Sequence, residues 1–461
     1  MLKIHNSLTG LKEDFKPLVA GQVSMYVCGM TVYDFIHIGH ARMLTVFDLI
    51  QRYLRSLGLR VTYVRNVTDI DDKIIERAAK NGEEWSALAR RFTVAMHEDC
   101  AKLGLQPPDL EPRATEFIDA IIAMTGTLID KGYAYVAADG DILYSVRRFP
   151  DYGRLSGKRI DDLRAGARVQ VDDAKIDPLD FVLWKMAKPG EPSWESPWGA
   201  GRPGWHIECS AMATSLLGTY FDLHGGGMDL KFPHHENEIA QSCADCDTPF
   251  VRYWMHNGFV RVNDEKMSKS LDNFFTVRDV LRTLRDPEVL RLFLLSSHYR
   301  GPINYSAAQL EQADETLLGF YRALKDTSAG APNAAAIDRF REAMDDDFNT
   351  PEALAAMQGV ARDLNSAKAA NDARSVGAAA STLRAMGETL GLLQQDPGTY
   401  LKRSVGPQGL DDAAIEELVS ARRAARSDKN FAESDRIRKL LTDGGVLLED
   451  RPNGVTEWRR A

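Results

Sequence analysis

The stretch Val23-Ser-Met-Tyr-Val-Cys28, the glycine-containing turn after it, and the run from Gly39 to Asn66 decide the fold. Residues 23–28 alternate and are β-prone, which predicts a strand. From Gly39 to Leu57 the apolar residues Leu44, Phe47, Leu49, Ile50 and Leu54 recur at helical spacing. Arg60-Val-Thr-Tyr-Val-Arg-Asn66 predicts a second strand, and a helix starts near Asp71. Strand, helix and strand within about forty-five residues form the repeating unit of a parallel α/β sheet.

Outward from this unit, residues 115–131 read as a helix and 133–148 as a hairpin turning at Asp139-Gly140. Residues 187–204 are too rich in Pro and Gly for a regular element, yet Trp194 and Trp198 there, with Trp205 just after, point to an ordered loop. Helices are expected at 206–217 and 234–244. Beyond 276 the pattern is almost wholly helical, with helices at 306–326, 337–345, 351–370 and 374–393 and linkers at 327–336 and 394–410. The last segment reads as two helices followed by short strands at Val446–Leu448 and Thr456–Trp458.

Composition sets the class. The 461 residues suggest roughly three domains of about 150 residues each. Hydrophobic residues at 44% and charged residues at 27% exclude a disordered, collagenous or disulfide-scaffold protein. No apolar run approaches the about 18 residues of a membrane span. No apolar stretch with a small-residue cleavage site opens the chain, so no secretory signal is expected. Cys28, Cys100, Cys209, Cys243 and Cys246 are odd in number and scattered, which reads as thiols or metal ligands rather than bridges. The net charge of −9 weighs against a protein that coats nucleic acid nonspecifically, but leaves room for a local basic face.

Two motifs carry chemistry. His37-Ile-Gly39-His40 stands where a strand hands over to a helix. A helix N-terminus offers N–H groups and partial positive charge to a phosphate, and Gly39 lets a backbone approach closely. The plainer account makes His37 a cap and His40 a surface residue. Lys266-Met-Ser-Lys269-Ser270 sets two lysines around serines, which suits a developing pyrophosphate, although such a run alone is usually a solvated loop. Together the motifs point to adenylation of a carboxylate by ATP. Other nucleotide signatures fail. Gly153-Arg-Leu-Ser-Gly157-Lys158 is one residue short of a P-loop, and Gly225-Gly226-Gly227 is not a dinucleotide fingerprint.

This pair of motifs resembles the class I aminoacyl-tRNA synthetases, and the intervening runs resemble the cysteinyl-tRNA synthetase family. Those runs are Tyr26 to Asp34, Asn66 to Lys73, Gly204 to Ser210 and His224 to Glu238. The resemblance spans essentially the whole chain and is densest at 23–75 and 176–275. It implies an α/β fold: a Rossmann-like parallel-sheet catalytic domain with an inserted connective domain, a helical bundle, and a small mixed α/β C-terminal domain. The expected divisions are 1–114 and 201–265 for the two catalytic halves and 115–200 for the insertion. They continue with 266–309 for the signature loop and stem-contact region, 310–395 for the helical anticodon-binding domain and 410–461 for the C-terminal anticodon domain.

The resemblance also implies a site. Cys28, Cys209, His234 and Glu238 match the family's zinc ligands, and two thiolates, an imidazole and a carboxylate form a sensible Zn²⁺ set. His234 and Glu238 stand four apart on a predicted helix, so both leave one face. Zinc deprotonates a bound thiol, whereas a serine hydroxyl is a far poorer ligand. A site built on a bond the wrong substrate cannot make reaches about 10⁴–10⁵ discrimination without editing. Thr68, Trp205 and His224 are implied to shape the cysteine pocket, with Thr31 and Asp229 as further candidates. His37, Gly39, His40, Lys266 and Lys269 are implied to bind ATP, with His37, His40, Lys266 and Lys269 as the catalytic groups. The family carries Gly-Asn after Lys-Met-Ser-Lys-Ser-Leu, where this chain has Asp272-Asn273, a departure that bears on loop kinetics and not on the reaction.

The remaining candidates are weighed beside these. Cys243-x-x-Cys246 lacks a second pair and reads as a helix-end thiol pair, and Cys100 reads as core. The run Arg422, Arg423, Arg426, Lys429, Arg436, Arg438 and Lys439 is either a solvated helix face or a phosphate-binding face, with Trp458, Arg459 and Arg460 as stacking and charge partners. The implied protein is a cytoplasmic monomer using one Zn²⁺ per chain and Mg²⁺ with ATP. It joins L-cysteine to tRNA(Cys) and has no membrane partner. The rival reading is a cysteine ligase acting on an amino sugar, expected to lack the terminal anticodon domain.

Overall fold

The strand, helix and strand of the opening unit are β1 (Gln22–Thr31), α1 (Ile38–Ser56) and β2 (Arg60–Thr68). The structure, a computed structural model, describes residues 1–160, 175–267, 273–404, 411–450 and 456–460. After an inserted segment come α2 (Trp205–Leu217), β3 (Tyr220–Gly227), α3 (Glu236–Cys246) and β4 (Phe250–Asn257). The four strands pair in parallel in the order β4-β3-β1-β2. The chain thus runs one way from β1 to β2 and then continues on the other side of β1. That reversal, between β1 and β3, is where parallel α/β sheets form ligand crevices at their strand carboxyl ends.

Two of the four strands escape the sequence reading. Tyr220-Phe-Asp-Leu-His-Gly-Gly-Gly227 looks unlike a strand because glycine weakens strand propensity. Packing explains the glycine at 225, where a Cβ would stand 2.2 Å from the Phe47 ring of α1. α1 itself is buried along nearly every side, with Arg42, Asp48 and Gln51 inside among its apolar residues.

The segment between β2 and α2 holds the helices Asp72–Asn81, Trp85–Lys102 and Ile118–Asp130 and an antiparallel sheet of Ala134–Val136, Ile142–Tyr144, Phe181–Met186 and Gly201–Pro203. The predicted hairpin is present, with Gly140 in the left-handed region at φ 93°. The Pro/Gly-rich stretch is mostly irregular as expected, but its end, Gly201–Pro203, pairs as an edge strand. Past β4, β5 (Val260–Val262) and β6 (Glu265–Lys266) form a hairpin. These elements, with residues 297–304 and 343–350, make one compact unit.

The second unit comprises 275–296, 305–342 and 351–461. The four predicted helices are observed at Ala307–Leu324, Ala334–Asp345, Thr350–Ala369 and Ala373–Leu390, so the linker expected at 327–336 is shorter than its range. A short helix, Pro397–Lys402, lies inside the linker expected at 394–410, of which 405–410 are outside the described residues. Helices Asp412–Ser427 and Phe431–Asp443 and the hairpin Val446–Asp450/Thr456–Arg460 close the unit around Ile415, Val419, Ile437, Leu441, Val446 and Trp458. Trp458 is only 4% exposed and donates through Nε1 to Glu416, so it is core and not a stacking surface. Its expected partners are engaged too: Arg460 pairs with Asp412 and Arg459 with Glu449. The basic run divides: Arg422 and Arg426 grip Asp450 and Arg436 pairs with Glu433, while Arg423, Lys429, Arg438 and Lys439 are exposed. No helix among the described residues is long and apolar enough to cross a membrane.

Gly225→Ala is expected to cost about 1–3 kcal/mol through overpacking against Phe47, read as a lower denaturation midpoint. Phe47→Leu in the same chain should recover part of the loss. An undiminished midpoint in the single variant would mean that α1 stands farther from the sheet.

Candidate metal centre and nucleotide site

Row by row, the sheet aligns Val64, Tyr26, His224 and Trp254 across β2, β1, β3 and β4. Two residues past Tyr26, at a register shift in β1, stands Cys28. Cys28 and Glu238 lie 3.3 Å apart, Cys28 Sγ and His234 Nε2 3.4 Å, and His234 Nε2 and Glu238 Oε1 3.1 Å. Cys209 from α2 completes a buried group whose ligand atoms all fall within 4.8 Å of one another. The expected helix at 234–244 begins only at Glu236. His234 sits in the wide turn Lys231–His235 before it, so the pair meets across a helix start rather than along one face.

The charges in this group are tightly linked. Burial alone would raise the Glu238 carboxyl, but His224 and His234 hold it well below the usual range. Burial would lower His234, but the Glu238 charge and the Cys209 thiolate lift it to about 10. The hydrogen bond from Cys28 favours the Cys209 thiolate, drawing it to about 6, while burial pushes Cys28 up. The donor set therefore favours a thiolate and a carboxylate beside a protonated imidazole and a second thiol, and a soft divalent cation that displaces the protons of His234 and Cys28 fits it.

Supporting side chains surround the group. His224 Nε2 meets Glu238 Oε2 at 2.8 Å and stacks on Trp254. His206 Nδ1 meets His234 Nδ1 at 2.9 Å, which fixes the ring. Trp205 lies 4.5 Å over His234, yet is 40% exposed. Thr68 donates to Glu208 at 3.0 Å and is paired in register with Thr31. Burial raises Glu208 well above the usual carboxylate range. A Cβ on Gly227 would meet the Asp229 carboxylate, which places Asp229 over the end of β3.

A second set overlaps the first: Cys28, His224, His235 and Glu238. His224 Nδ1 and His235 Nε2 are buried without a hydrogen-bond partner among the described residues. His235 Nδ1 meets His256 Nε2 at 2.8 Å. Sequence reasoning missed this set and the supports His206, Glu208, His256 and Trp254. His206 and Glu208 lie within the run Gly204 to Ser210 already singled out, but nothing in that run distinguishes a support from a neighbour.

The second motif pair also converges. His37 caps α1 with its own ring: Nδ1 accepts from Gly39 N (3.1 Å) and His40 N (3.3 Å). Those amides, expected to face a phosphate, are spent on His37. The His37 and His40 rings stack at 3.6 Å. Burial, helped by His37 and Lys73, holds His40 well below its ordinary value, so it is neutral at pH 7. Met267 reaches Gly39, since a Cβ there would stand 3.5 Å from its Cε, and Phe274 sets its edge 5.0 Å from His37. Both sides of the Lys-Met-Ser-Lys-Ser segment thus rest on the His-Ile-Gly-His turn. Lys266 ends β6; Lys269 and Asp272 lie outside the described residues. Cys100 is buried as expected, and burial raises Cys243 to about 11 and Cys246 to about 12, which disfavours the thiolate of both.

Comparison with known proteins agrees with this picture. The profile of the class I (C) tRNA synthetase catalytic domain matches residues 14–315, a DALR domain matches 339–394, and a cysteinyl-tRNA ligase anticodon binding domain matches 410–459. Cysteine–tRNA ligases of Methylococcus capsulatus and Thioalkalivibrio sulfidiphilus are 60% and 61% identical over the full length of both chains. Among solved structures, a methionyl-tRNA synthetase of Mycobacterium tuberculosis aligns with a TM-score of 0.57 at 16% identity, over 82% of this chain and 91% of that one. A putative arginyl-tRNA synthetase of Campylobacter jejuni aligns at 0.55 and 13%, over 83% and 96%. With a class I catalytic profile over most of its length and full-length relatives at this identity, the chain belongs to the cysteine–tRNA ligase family.

Proposed function

We propose that the chain activates L-cysteine with ATP and transfers it to the 3′ end of tRNA(Cys). The observation that carries this reading is the convergence of Cys28, Cys209, His234 and Glu238 at the end of the strand from which His37 and His40 follow. These four would hold one Zn²⁺. Of the two overlapping sets this one lies beneath the exposed face of Trp205, whereas the other is lined by His235 and Trp254, both closed from solvent. Zinc held there supplies a soft cation that favours a thiolate over a hydroxyl.

The chain's own side chains do the rest. Trp205 and His206 fix the His234 ring, and His224 holds the second oxygen of Glu238. Thr68, anchored on Glu208, and Trp205 and His224 shape the cysteine pocket. His37 and the neutral His40 hydrogen-bond the phosphates of ATP-Mg²⁺ without adding permanent charge; Lys266 and Lys269 balance the charge that gathers on pyrophosphate. Alignment and electrostatics carry the step rather than covalent catalysis. In this reading residues 1–114 and 201–265 form the catalytic domain, 115–200 the insertion, 266–309 the loop and stem-contact region, and 310–395 with 410–461 the tRNA-reading part. The protein acts as a cytoplasmic monomer. The match of 410–459 to an anticodon binding domain favours tRNA over an amino-sugar acceptor.

Purified protein is expected to hold about one zinc per chain, and Cys209→Ser to lose most of it by elemental analysis. Metal-free protein that still separates cysteine from serine would overturn the zinc assignment. ATP–pyrophosphate exchange should require L-cysteine and prefer it to L-serine by about 10⁴. Lys269→Ala should slow that exchange about 100-fold with the cysteine KM held within about twofold. Undiminished exchange in this variant removes Lys269 from the chemistry.

A further inference from the structure

Two residues past His40, α1 carries a buried arginine. Arg42 is closed from solvent. Its Nε donates to Gly258 O at 3.2 Å, and its Nη2 reaches His298 O (3.1 Å), Tyr299 O (3.4 Å) and Gly301 O (2.7 Å). A buried cation is costly unless its donors are met, and burial draws this guanidinium down to about 10. An apolar side chain would fill the space at no such cost. Four carbonyls gathered on one planar fork therefore point to alignment rather than to stability.

Those carbonyls belong to two segments that run side by side. Gly258 N donates to Tyr299 O at 2.8 Å, and Ile303 N to Phe259 O at 2.9 Å. The approach is close enough that a Cβ on Gly258 would stand 2.2 Å from Gly301 O. Asp347 grips the same segment by its side chains, accepting from Tyr299 Oη at 2.8 Å and Arg300 Nε at 2.6 Å. Gly258 is the root of the β5–β6 hairpin. That hairpin ends at Lys266, and the next residue, Met267, rests on Gly39.

We propose that Arg42 is a positioning residue for the nucleotide site: it ties the root of the β5–β6 hairpin to α1, so that the hairpin end at Lys266 and Met267 is brought to the turn of His37 and His40 in one fixed geometry. The functional half of this proposal rests on the reading of those motifs as an ATP site.

Full-length Arg42→Lys and Arg42→Met are compared with wild type by amide hydrogen exchange and by cysteine-dependent ATP–pyrophosphate exchange. In both variants amide exchange at 258–267 is expected to quicken about tenfold or more while β2 keeps its protection. Turnover should fall about 100-fold, with the cysteine KM unchanged. Unchanged protection at 258–267, protection lost equally across β1 and β2 in both variants, or full turnover would each overturn the proposal. A wild-type chain without pyrophosphate exchange would sink the ATP reading alone, and the amide comparison would then decide whether Arg42 fixes the hairpin.

Discussion

Four polar side chains from three separate stretches of the sequence are held within 4.8 Å of one another and away from water. Left to themselves, two thiols, an imidazole and a carboxylate in a dry interior would neutralise or open to solvent. They do neither. The ionised form of Glu238 is favoured because His224 and His234 face its two oxygens, and the protonated form of His234 is favoured because Glu238 and Cys209 face it. The arrangement is balanced only as a set. Removing one member leaves an uncompensated charge, which costs more than the pair contributes.

Keeping this set together takes most of the first compact unit. Cys28 comes from the central strand, Cys209 from the helix after the insertion, and His234 and Glu238 from the turn and helix after β3. The insertion secures that last helix. Tyr152 donates to Asn237 at 2.5 Å, and Glu236 accepts from the amides of Leu155 and Ser156. The near P-loop Gly153-Arg-Leu-Ser-Gly157-Lys158, rejected as a phosphate site, thus has a structural account: its backbone N–H groups face a carboxylate of the protein itself.

What the sequence reveals follows from what its patterns encode. The β1-α1-β2 unit is legible because alternation and helical spacing coincide with burial. Of the two missing strands, β3 is illegible because its positions serve packing and the site: His224, Gly225 and Gly227 stand where β-branched residues would advertise a strand; β4, by contrast, carries the β-prone Phe250, Val251, Tyr253 and Trp254. The four candidate ligands are legible through family resemblance, but the overlapping set with His235 is not, since a buried ring nitrogen such as His235 Nε2, without a hydrogen-bond partner among the described residues, is visible only in three dimensions. Trp458 misleads in the opposite direction. An aromatic among arginines suggests RNA, whereas five apolar neighbours claim it for the core of the terminal hairpin and helices.

The two motifs divide electrostatic labour in a way their composition alone does not show. His37 uses one nitrogen to close its own helix, so the first-turn amides are not available to a ligand. The His37 and His40 rings stack, and His40, held well below its ordinary value, offers directional hydrogen bonding rather than charge. On the proposed reading permanent positive charge comes from Lys266 and Lys269, and the residues on either side of that segment, Met267 and Phe274, rest on the same turn. On the proposed reading, histidine donors beside a lysine-bearing segment suit a reaction in which charge moves from one phosphate to a leaving pair: the donors would hold position throughout, and the cations would matter most where charge accumulates.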